Sequence, residues 1–353
     1  MLIETQSLRA LSLPSPALAA ARTCAGELAF VCEGQRAGTQ RVALFAPPTG
    51  LEEPGGEPER PRAMVQLPGV APAHVLPNAH HEQLLVHQAH LGGRAEAASL
   101  TAIDVATASP LWRLQLEAVG PAPIVVGGRV IVVVDPLDQL LGCDLEGYER
   151  WSVALGSAVT AGPIEREDDP GFWVGAEDGR VCDFSADGEL RGAWRLPAPV
   201  AGIAPGRPGV VYAHSGERLW RLDAGADAPV WETRLRGEVK PRFVVDPKGV
   251  SYLQRQRGGV ARVAADGDRV EVMDGADGVG APLLDFSGAV AIIAASTSGG
   301  ELLTWAPSGA SPEDLPEAQI TTLDEPPLAM WSEPHALTLV SRAGTVIKLR
   351  CSL

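Results

Sequence analysis

The stretch Leu100-Thr-Ala-Ile-Asp104, followed by Trp112-Arg-Leu-Gln-Leu116, decides the fold because its pattern recurs along the chain. In each copy a short apolar run ends in aspartate, and a second run begins with tryptophan. The clearest copies are marked by Asp104 and Trp112, Asp144 and Trp151, Asp183 and Trp194, and Asp223 and Trp231. Successive aspartates are 40, 39 and 40 residues apart. A period this constant indicates a structural repeat.

The same register extends beyond these copies once the aspartate is allowed to vary. It then reaches Ala46, Ala264, Ala306 and Arg350, which makes eight copies. Each copy holds about four short apolar or alternating runs separated by turn signals such as Asp178-Gly179, and four strands in about 40 residues are typical of one propeller blade. We therefore predict an all-β fold with residues 1–353 as one domain. We expect an eight-bladed β-propeller with four-stranded antiparallel blades, with seven blades as the alternative.

The two ends of the chain supply a way to close the ring. The last copy offers only three strands, roughly Pro327–Ser332, His335–Ser341 and Gly344–Ser352, whereas the first copy is preceded by a spare strand, Leu2–Ala10. If this N-terminal strand becomes the outer strand of the last blade, both exposed sheet edges disappear. We predict that closure.

The repeated aspartates and tryptophans have mechanical explanations. An aspartate at the end of the third strand can accept hydrogen bonds from the backbone of the following turn. A tryptophan at the start of the fourth strand offers a broad plate that can pack between neighbouring blades. We interpret all eight marker residues as structural.

The copy Ala102-Ile103-Asp104-Val-Ala-Thr107, with Trp112, resembles the Ala-Leu-Asp-x-x-Thr-Gly-x-x-x-Trp signature of propellers with pyrroloquinoline-quinone-type repeats. That family includes calcium- and quinone-dependent dehydrogenases, a periplasmic lipoprotein scaffold of outer-membrane protein assembly, and binding propellers. The dehydrogenases use adjacent cysteines, and a calcium held by Glu, Asn and Asp. This sequence has no adjacent cysteines and a single asparagine, Asn78. The resemblance therefore implies a non-catalytic member, without a cofactor.

The histidines are the other candidates for chemistry. Five of the seven lie between His74 and His90. The turn that carries His80 and His81 and the far end of the next strand, where His90 lies, are roughly 25 Å apart at about 3.3 Å per residue, so one ion cannot bind them all. We predict no metal site and keep His80, His81 and Glu82 as the alternative.

The formal net charge of -15 and the pI near 4.9 disfavour nucleic acid and anionic membranes as partners of the whole surface. No run of 18 apolar residues exists, so we expect no membrane insertion. Glu4, Arg9, Pro14 and Pro16 interrupt the pattern of a secretory signal, and we expect a cytoplasmic protein.

One window reverses the overall charge. Between Arg234 and Arg262 there are eight basic residues and two acidic ones, a local charge of +6. In a propeller, the links between blades and the second-to-third-strand turns share one face, so two basic segments of this window should meet there. The acidic segments Glu52–Glu59, Glu165–Asp169 and Glu313–Asp314 should lie on the opposite face. We predict a partner-binding basic patch formed by Arg234, Arg236, Lys240, Arg242, Arg255 and Arg257.

These observations predict a non-enzymatic scaffold of a bacterial multi-protein system that binds other proteins, in particular an acidic segment, through loops on one face. Three alternatives stay open. The arginines could pair with acids of adjacent blades, or the patch could bind nucleic acid, which the lack of interleaved aromatic residues disfavours. The central channel could also hold the site of a small-ligand sensor or an enzyme. The inner strands near Pro72–Leu76, Pro123–Val126, Pro199–Ile203 and Ala281–Leu284 argue against this, because His74 is their single polar residue.

Overall fold

The structure is a computed structural model. It describes residues 2–23, 25–47, 57–69, 71–78, 82–89, 98–117, 120–135, 139–273, 283–285, 292–296, 301–305, 319–323, 325, 327–333 and 336–352. Within these ranges the regular elements are β-strands.

The strands follow one another in groups of four. In chain order they are β1 (Leu2–Ala10), β2 (Ala17–Arg22), β3 (Leu28–Glu33), β4 (Thr39–Phe45), β5 (Ala63–Pro68), β6 (Ala71–Asn78), β7 (Gln83–Ala89), β8 (Ala98–Asp104), β9 (Ser109–Leu116), β10 (Ile124–Val126), β11 (Val130–Asp135), β12 (Gln139–Cys143), β13 (Glu149–Ala154), β14 (Val159–Glu165), β15 (Gly171–Ala176), β16 (Arg180–Ser185), β17 (Leu190–Arg195), β18 (Gly202–Pro205), β19 (Val210–Ser215), β20 (Arg218–Asp223), β21 (Trp231–Arg234), β22 (Val239–Val245), β23 (Ser251–Arg255), β24 (Val260–Val263), β25 (Val270–Met273), β26 (Leu283–Asp285), β27 (Ile292–Ser296), β28 (Glu301–Trp305), β29 (Gln319–Thr322), β30 (Ala329–Glu333), β31 (Ala336–Val340) and β32 (Thr345–Ser352).

In the described part of the chain, the strands form eight four-stranded antiparallel sheets. We number them as blades, from blade 1 (β2–β5) through blade 7 (β26–β29). Blade 8 consists of β30, β31, β32 and the N-terminal β1, which places Leu2 opposite Ser352 and Ala10 opposite Thr345. The predicted all-β propeller with four-stranded antiparallel blades is confirmed, and so is its closure by the N-terminal strand.

The first strand of each blade lies innermost, and the apolar core lies between the blades. Val31 and Val42 of blade 1 pack with Leu84 and Val86 of blade 2, and the clusters between later blades are built in the same way. Middle strands such as β15 are buried at every position because a neighbouring blade covers each side. Outer strands such as β13 alternate between half-buried and exposed residues because only one side is covered.

The topology gives the ring two faces. The links between blades and the turns between second and third strands lie on one face, which we call the upper face. The turns between first and second strands and between third and fourth strands lie on the other, the lower face.

The marker tryptophans connect neighbouring blades at the lower face. Each donates a hydrogen bond from its indole nitrogen to a carbonyl oxygen in the third-to-fourth-strand turn of the next blade. The four bonds are Trp112 to Leu145 (2.6 Å), Trp151 to Ala186 (2.9 Å), Trp194 to Ala226 (2.8 Å) and Trp231 to Ala265 (3.2 Å). We call these contacts the tryptophan latches.

Glycines in the receiving turns make room for the indole rings. Gly188 has a φ of 79°, and a Cβ atom there would lie 2.6 Å from Cδ2 of Trp151. Gly147 and Gly267 face Trp112 and Trp231 in the same way. A side chain at Gly188 would strain the backbone and collide with the ring.

The marker aspartates divide into two kinds. Asp104 accepts hydrogen bonds from the backbone nitrogen (2.6 Å) and hydroxyl (2.7 Å) of Thr107, and the backbone bond is the main reason that its pKa is lowered. Asp144 likewise accepts bonds from its following turn. Asp183 and Asp223 differ from the expectation, because they bind arginines instead. Asp183 contacts Arg166 at 2.7 Å, and the neighbouring Ser185 accepts the backbone bonds of the turn.

Candidate partner-binding site

The structure distributes the predicted basic patch over two places. Arg234, Arg236, Arg255 and Arg257 lie on the upper face between blades 5 and 6. Lys240 is the second residue of the inner strand β22, and Arg242 lies at the middle of that strand. The patch is therefore an upper-face cluster that continues into the central channel.

The upper-face cluster surrounds a pocket of about 250 Å³. We call it the blade 5–6 pocket, and it is lined by Glu217, Gly237, Glu238, Arg255, Gln256 and Arg257. Backbone hydrogen bonds hold its walls together: Leu235 donates to the Glu217 carbonyl (2.6 Å), and Gln256 donates to the Glu238 carbonyl (2.9 Å). The link between the blades and the turn of blade 6 thus meet at one place.

Most of the pocket's positive charge has no ion-pair partner in the described residues. Arg234 pairs with Glu217 at 3.2 Å, yet its side chain stays 81% exposed. Arg236 and Arg257 are exposed and form no ion pair there. Arg255 is half-buried, and its buried Nε lacks a hydrogen-bond partner. The alternative in which acids of adjacent blades neutralise the arginines fails for these three residues within the described part.

Two further basic residues of the window lie elsewhere. Lys248 follows β22 in a turn of the lower face. Arg262 pairs with Glu271 at 2.8 Å, and this hydrogen bond raises the pKa of the guanidinium against the opposing effect of burial. Neither contributes to the pocket.

Of the three acidic segments, Glu165–Asp169 lies at the lower face, where Glu165 accepts a bond from the Gly127 nitrogen at 2.7 Å. Most of Glu52–Glu59 and all of Glu313–Asp314 fall outside the described residues.

Arg242 corrects one sequence-based expectation. The register of β22 against β23 shifts between Val239 and Phe243, so Lys240, Pro241 and Arg242 form a bulge. Bulges commonly re-aim a side chain. Phe243 is buried beside the ring of His214, whereas Arg242 is exposed. Arg242 is therefore a residue of the channel wall and not of a face loop.

Three described histidines are buried or half-buried. His87 and His214 have no exposed surface, and burial lowers the pKa of each to about 4. Burial, and then the charge of Arg242, lower the pKa of His74. His80, His81 and His90 lie outside the described residues. In the part that the structure describes, no group of three or more metal-binding side chains occurs.

The cysteines that the structure describes with their side chains are Cys32, Cys143 and Cys182, and all three are free and buried. Burial raises the pKa of each thiol to about 11. None is a reactive thiolate at neutral pH.

Comparison with known proteins gives one family match, in the middle of the chain. The family described as "Outer membrane protein assembly factor BamB" matches residues 96–268. The resemblance to propellers with pyrroloquinoline-quinone-type repeats seen in the sequence is confirmed by this match over the middle of the chain.

Solved structures are similar over the whole length. BamB from Moraxella catarrhalis has a TM-score of 0.67 at 15% identity, covering 99% of this chain and 100% of that one. The computationally designed Ika8 protein has a TM-score of 0.62 at 15% identity, covering 98% and 99%. At this identity the likeness concerns the fold. No curated protein matches the sequence.

No helix among the described residues has the length and apolar character needed to cross a bilayer.

Proposed function

We propose that this protein is a non-enzymatic scaffold that binds other proteins through the loops of its upper face. The observation that carries the proposal is the blade 5–6 pocket, where Arg255 and Arg257 form no ion pair with any described residue. The matching family is described as an assembly factor, which supports a scaffold role without naming a partner. The bacterial multi-protein setting and the cytoplasmic location remain predictions.

The chemistry of the pocket favours an acidic peptide segment. A guanidinium presents several N–H groups in a planar fork that matches a carboxylate. Arg255 is half-buried, and an interaction made there is less screened by water and salt than one at a fully exposed arginine. A carboxylate seated in the pocket would contact Arg255 and Arg257, while the exposed Arg236 lies beside the entrance.

The overall charge of the protein decides between acidic ligands. A net charge of -15 repels a long polyanion such as a nucleic acid, because many of its phosphates would lie outside the basic patch. A short acidic segment fits within the patch. We therefore propose a protein partner.

Fluorescence anisotropy with a labelled decaglutamate peptide tests this function. Wild type should bind the peptide, with affinity falling as salt rises. The Arg255→Gln/Arg257→Gln double variant should bind at least about tenfold more weakly, the effect of removing charge-assisted hydrogen bonds at a binding hot spot. A labelled single-stranded oligonucleotide of equal charge should bind more weakly than the peptide.

The matched control is Arg129→Gln. Arg129 is exposed on the lower face and forms no ion pair with a described residue, so the control also removes an unpaired surface charge. It should leave peptide binding unchanged. An equal loss in the control, no peptide binding by wild type, or tighter binding of the oligonucleotide would each overturn the proposal.

A further inference from the structure

The central channel contains a second, separate concentration of polar groups. Arg242 extends from the bulge of β22 in blade 6. Three contacts fix that bulge: the His214 ring lies 3.3 Å from the Pro241 carbonyl oxygen, the Phe243 ring packs edge-on against His214 at 5.5 Å, and Gly202 lets the Pro241 carbonyl approach. A Cβ atom at Gly202 would lie 1.9 Å from that oxygen. The backbone that carries Arg242 is therefore held in place from behind.

The opposite wall carries His74. This residue lies on β6, the inner strand of blade 2, and blade 2 is four sheets away from blade 6 in either direction around the ring. The charge of Arg242 nevertheless reaches the His74 ring strongly enough to lower its pKa. His74 is the fourth residue of β6 and Arg242 the fourth residue of β22, so the two lie at about the same depth on opposite walls of the channel.

Behind His74 lies an unsatisfied polar group. The His87 side chain has no exposed surface, and neither ring nitrogen has a hydrogen-bond partner in the described residues. Its ring centroid is 5.7 Å from that of His74. Buried polar groups without partners are rare in folded proteins, so the wall behind His74 holds polar atoms that the described residues leave unsatisfied.

The charges around this stretch favour an anion. Arg242 forms no ion pair with a described residue, and Lys240 lies two residues away on the same bulge. Among inner strands with described side chains, the acidic residue is Glu165, which lies at the lower end of β14 and accepts a hydrogen bond from Gly127. A guanidinium that no described carboxylate neutralises attracts oxyanions, because its planar N–H groups match their geometry.

We propose that this stretch of the channel binds a small oxyanion, a carboxylate or a phosphate, between the Arg242 guanidinium and the His74 ring. The arginine supplies the charge, and on binding the His74 ring takes up a proton from solvent, so that one N–H bonds the Gly120 carbonyl and the other donates to the anion. The site is independent of the blade 5–6 pocket and of the protein partner proposed for it.

Isothermal titration calorimetry with sodium phosphate, and separately with sodium succinate, tests the site in a chloride buffer at pH 7. We expect a dissociation constant of about 1 mM for at least one of them. Arg242→Gln should weaken binding at least about tenfold, and His74→Ala should weaken it by about threefold or more, as expected for loss of one hydrogen bond. Arg129→Gln, which removes an exposed arginine of the lower face that forms no ion pair with a described residue, is the matched control and should bind as wild type does.

A second measurement separates a direct contact from a general effect of charge. In an NMR titration, the added anion should raise the pKa of His74, because it offsets the charge of Arg242; the other groups known to act on this ring are His87 and the Gly120 carbonyl. Binding of one anion but not the other supports the site and identifies the group. No binding of either, full binding by Arg242→Gln, or equal loss in Arg129→Gln would overturn it.

Discussion

The contact between blades 4 and 5 and the contact between blades 5 and 6 show two different uses of the same repeat. Between blades 4 and 5 the Trp194 indole donates to the Ala226 carbonyl, and the ring packs into a fully apolar cluster. Between blades 5 and 6 the same latch is present at the lower face, formed by Trp231 and Ala265. At the same contact, the upper face and the channel also carry arginines. These arginines do not occupy any position of the repeated aspartate and tryptophan pattern.

The difference lies in how completely polar groups are paired. The latch nitrogens all have acceptors, as a repeated structural contact requires. Arg236, Arg242, Arg255 and Arg257 lie outside the repeat pattern, and none forms an ion pair with a described residue. We infer that residues set by the period stabilise the ring, whereas residues that interrupt it are available to bind ligands.

The largest expected effect comes from filling the space under a latch. Gly188→Ala should lower the free energy of unfolding by about 3 kcal/mol, because a positive φ costs about 1 to 2 kcal/mol and the added methyl group collides with Trp151. Urea denaturation measures the change. Gly192→Ala, in the next strand with open space around it, is the control and should be neutral or slightly stabilising. Equal effects at the two glycines would contradict the latch.

The second-largest expected effect is a loss of folding stability at low pH. It comes from His214, which lies behind the bulge of β22. Burial lowers the pKa of His214 from 6.5 to about 4, so between these values the unfolded chain binds a proton that the folded chain does not. The ring's contribution is therefore complete above about pH 6.5 and is lost as the pH falls toward 4. Wild type should lose about 2 kcal/mol through this residue between pH 7 and 4.5.

His214→Gln tests that assignment, because the amide nitrogen can replace the ring as donor to the Pro241 carbonyl and does not titrate. The variant should lose less stability than wild type over this pH range when both are unfolded in urea. The same slope in both proteins would mean that other groups cause the acid sensitivity.

The sequence predicts the regular part of this molecule well because the repeat carries it. The Asp104 to Asp223 period, the tryptophans and the spare strand Leu2–Ala10 define blade type and closure, since each depends on local pattern. The role of Asp183 could not be predicted in this way. Its partner Arg166 lies on a different strand connection, and only the folded blade brings the two together.

The sequence also predicts part of the binding site, namely the part that depends on local charge and on the blade topology. Local charge identified the window, and topology brought Arg255 and Arg257 to the link between blades 5 and 6. The channel position of Arg242 depends on the bulge between Val239 and Phe243, which no composition signal marks. Val239 and Phe243 are buried, and the arginine between them is exposed. This pattern of two apolar residues around a charged one is the signal that could have indicated the bulge.

The smallest expected effect comes from Glu217, and it tests whether this acidic residue of the pocket weakens the binding of an acidic ligand. Glu217 lines the blade 5–6 pocket and holds Arg234, although both side chains are largely exposed. Because exposed ion pairs contribute about 0.2 to 1 kcal/mol, Glu217→Gln should change stability by less than about 0.5 kcal/mol while it strengthens decaglutamate binding about two- to fivefold. Glu189→Gln, an exposed acid on the lower face, is the matched control for the change in net charge. Anisotropy titrations of the two variants should therefore diverge, and if they coincide, the local pairing in the pocket has no influence on the binding of an acidic segment.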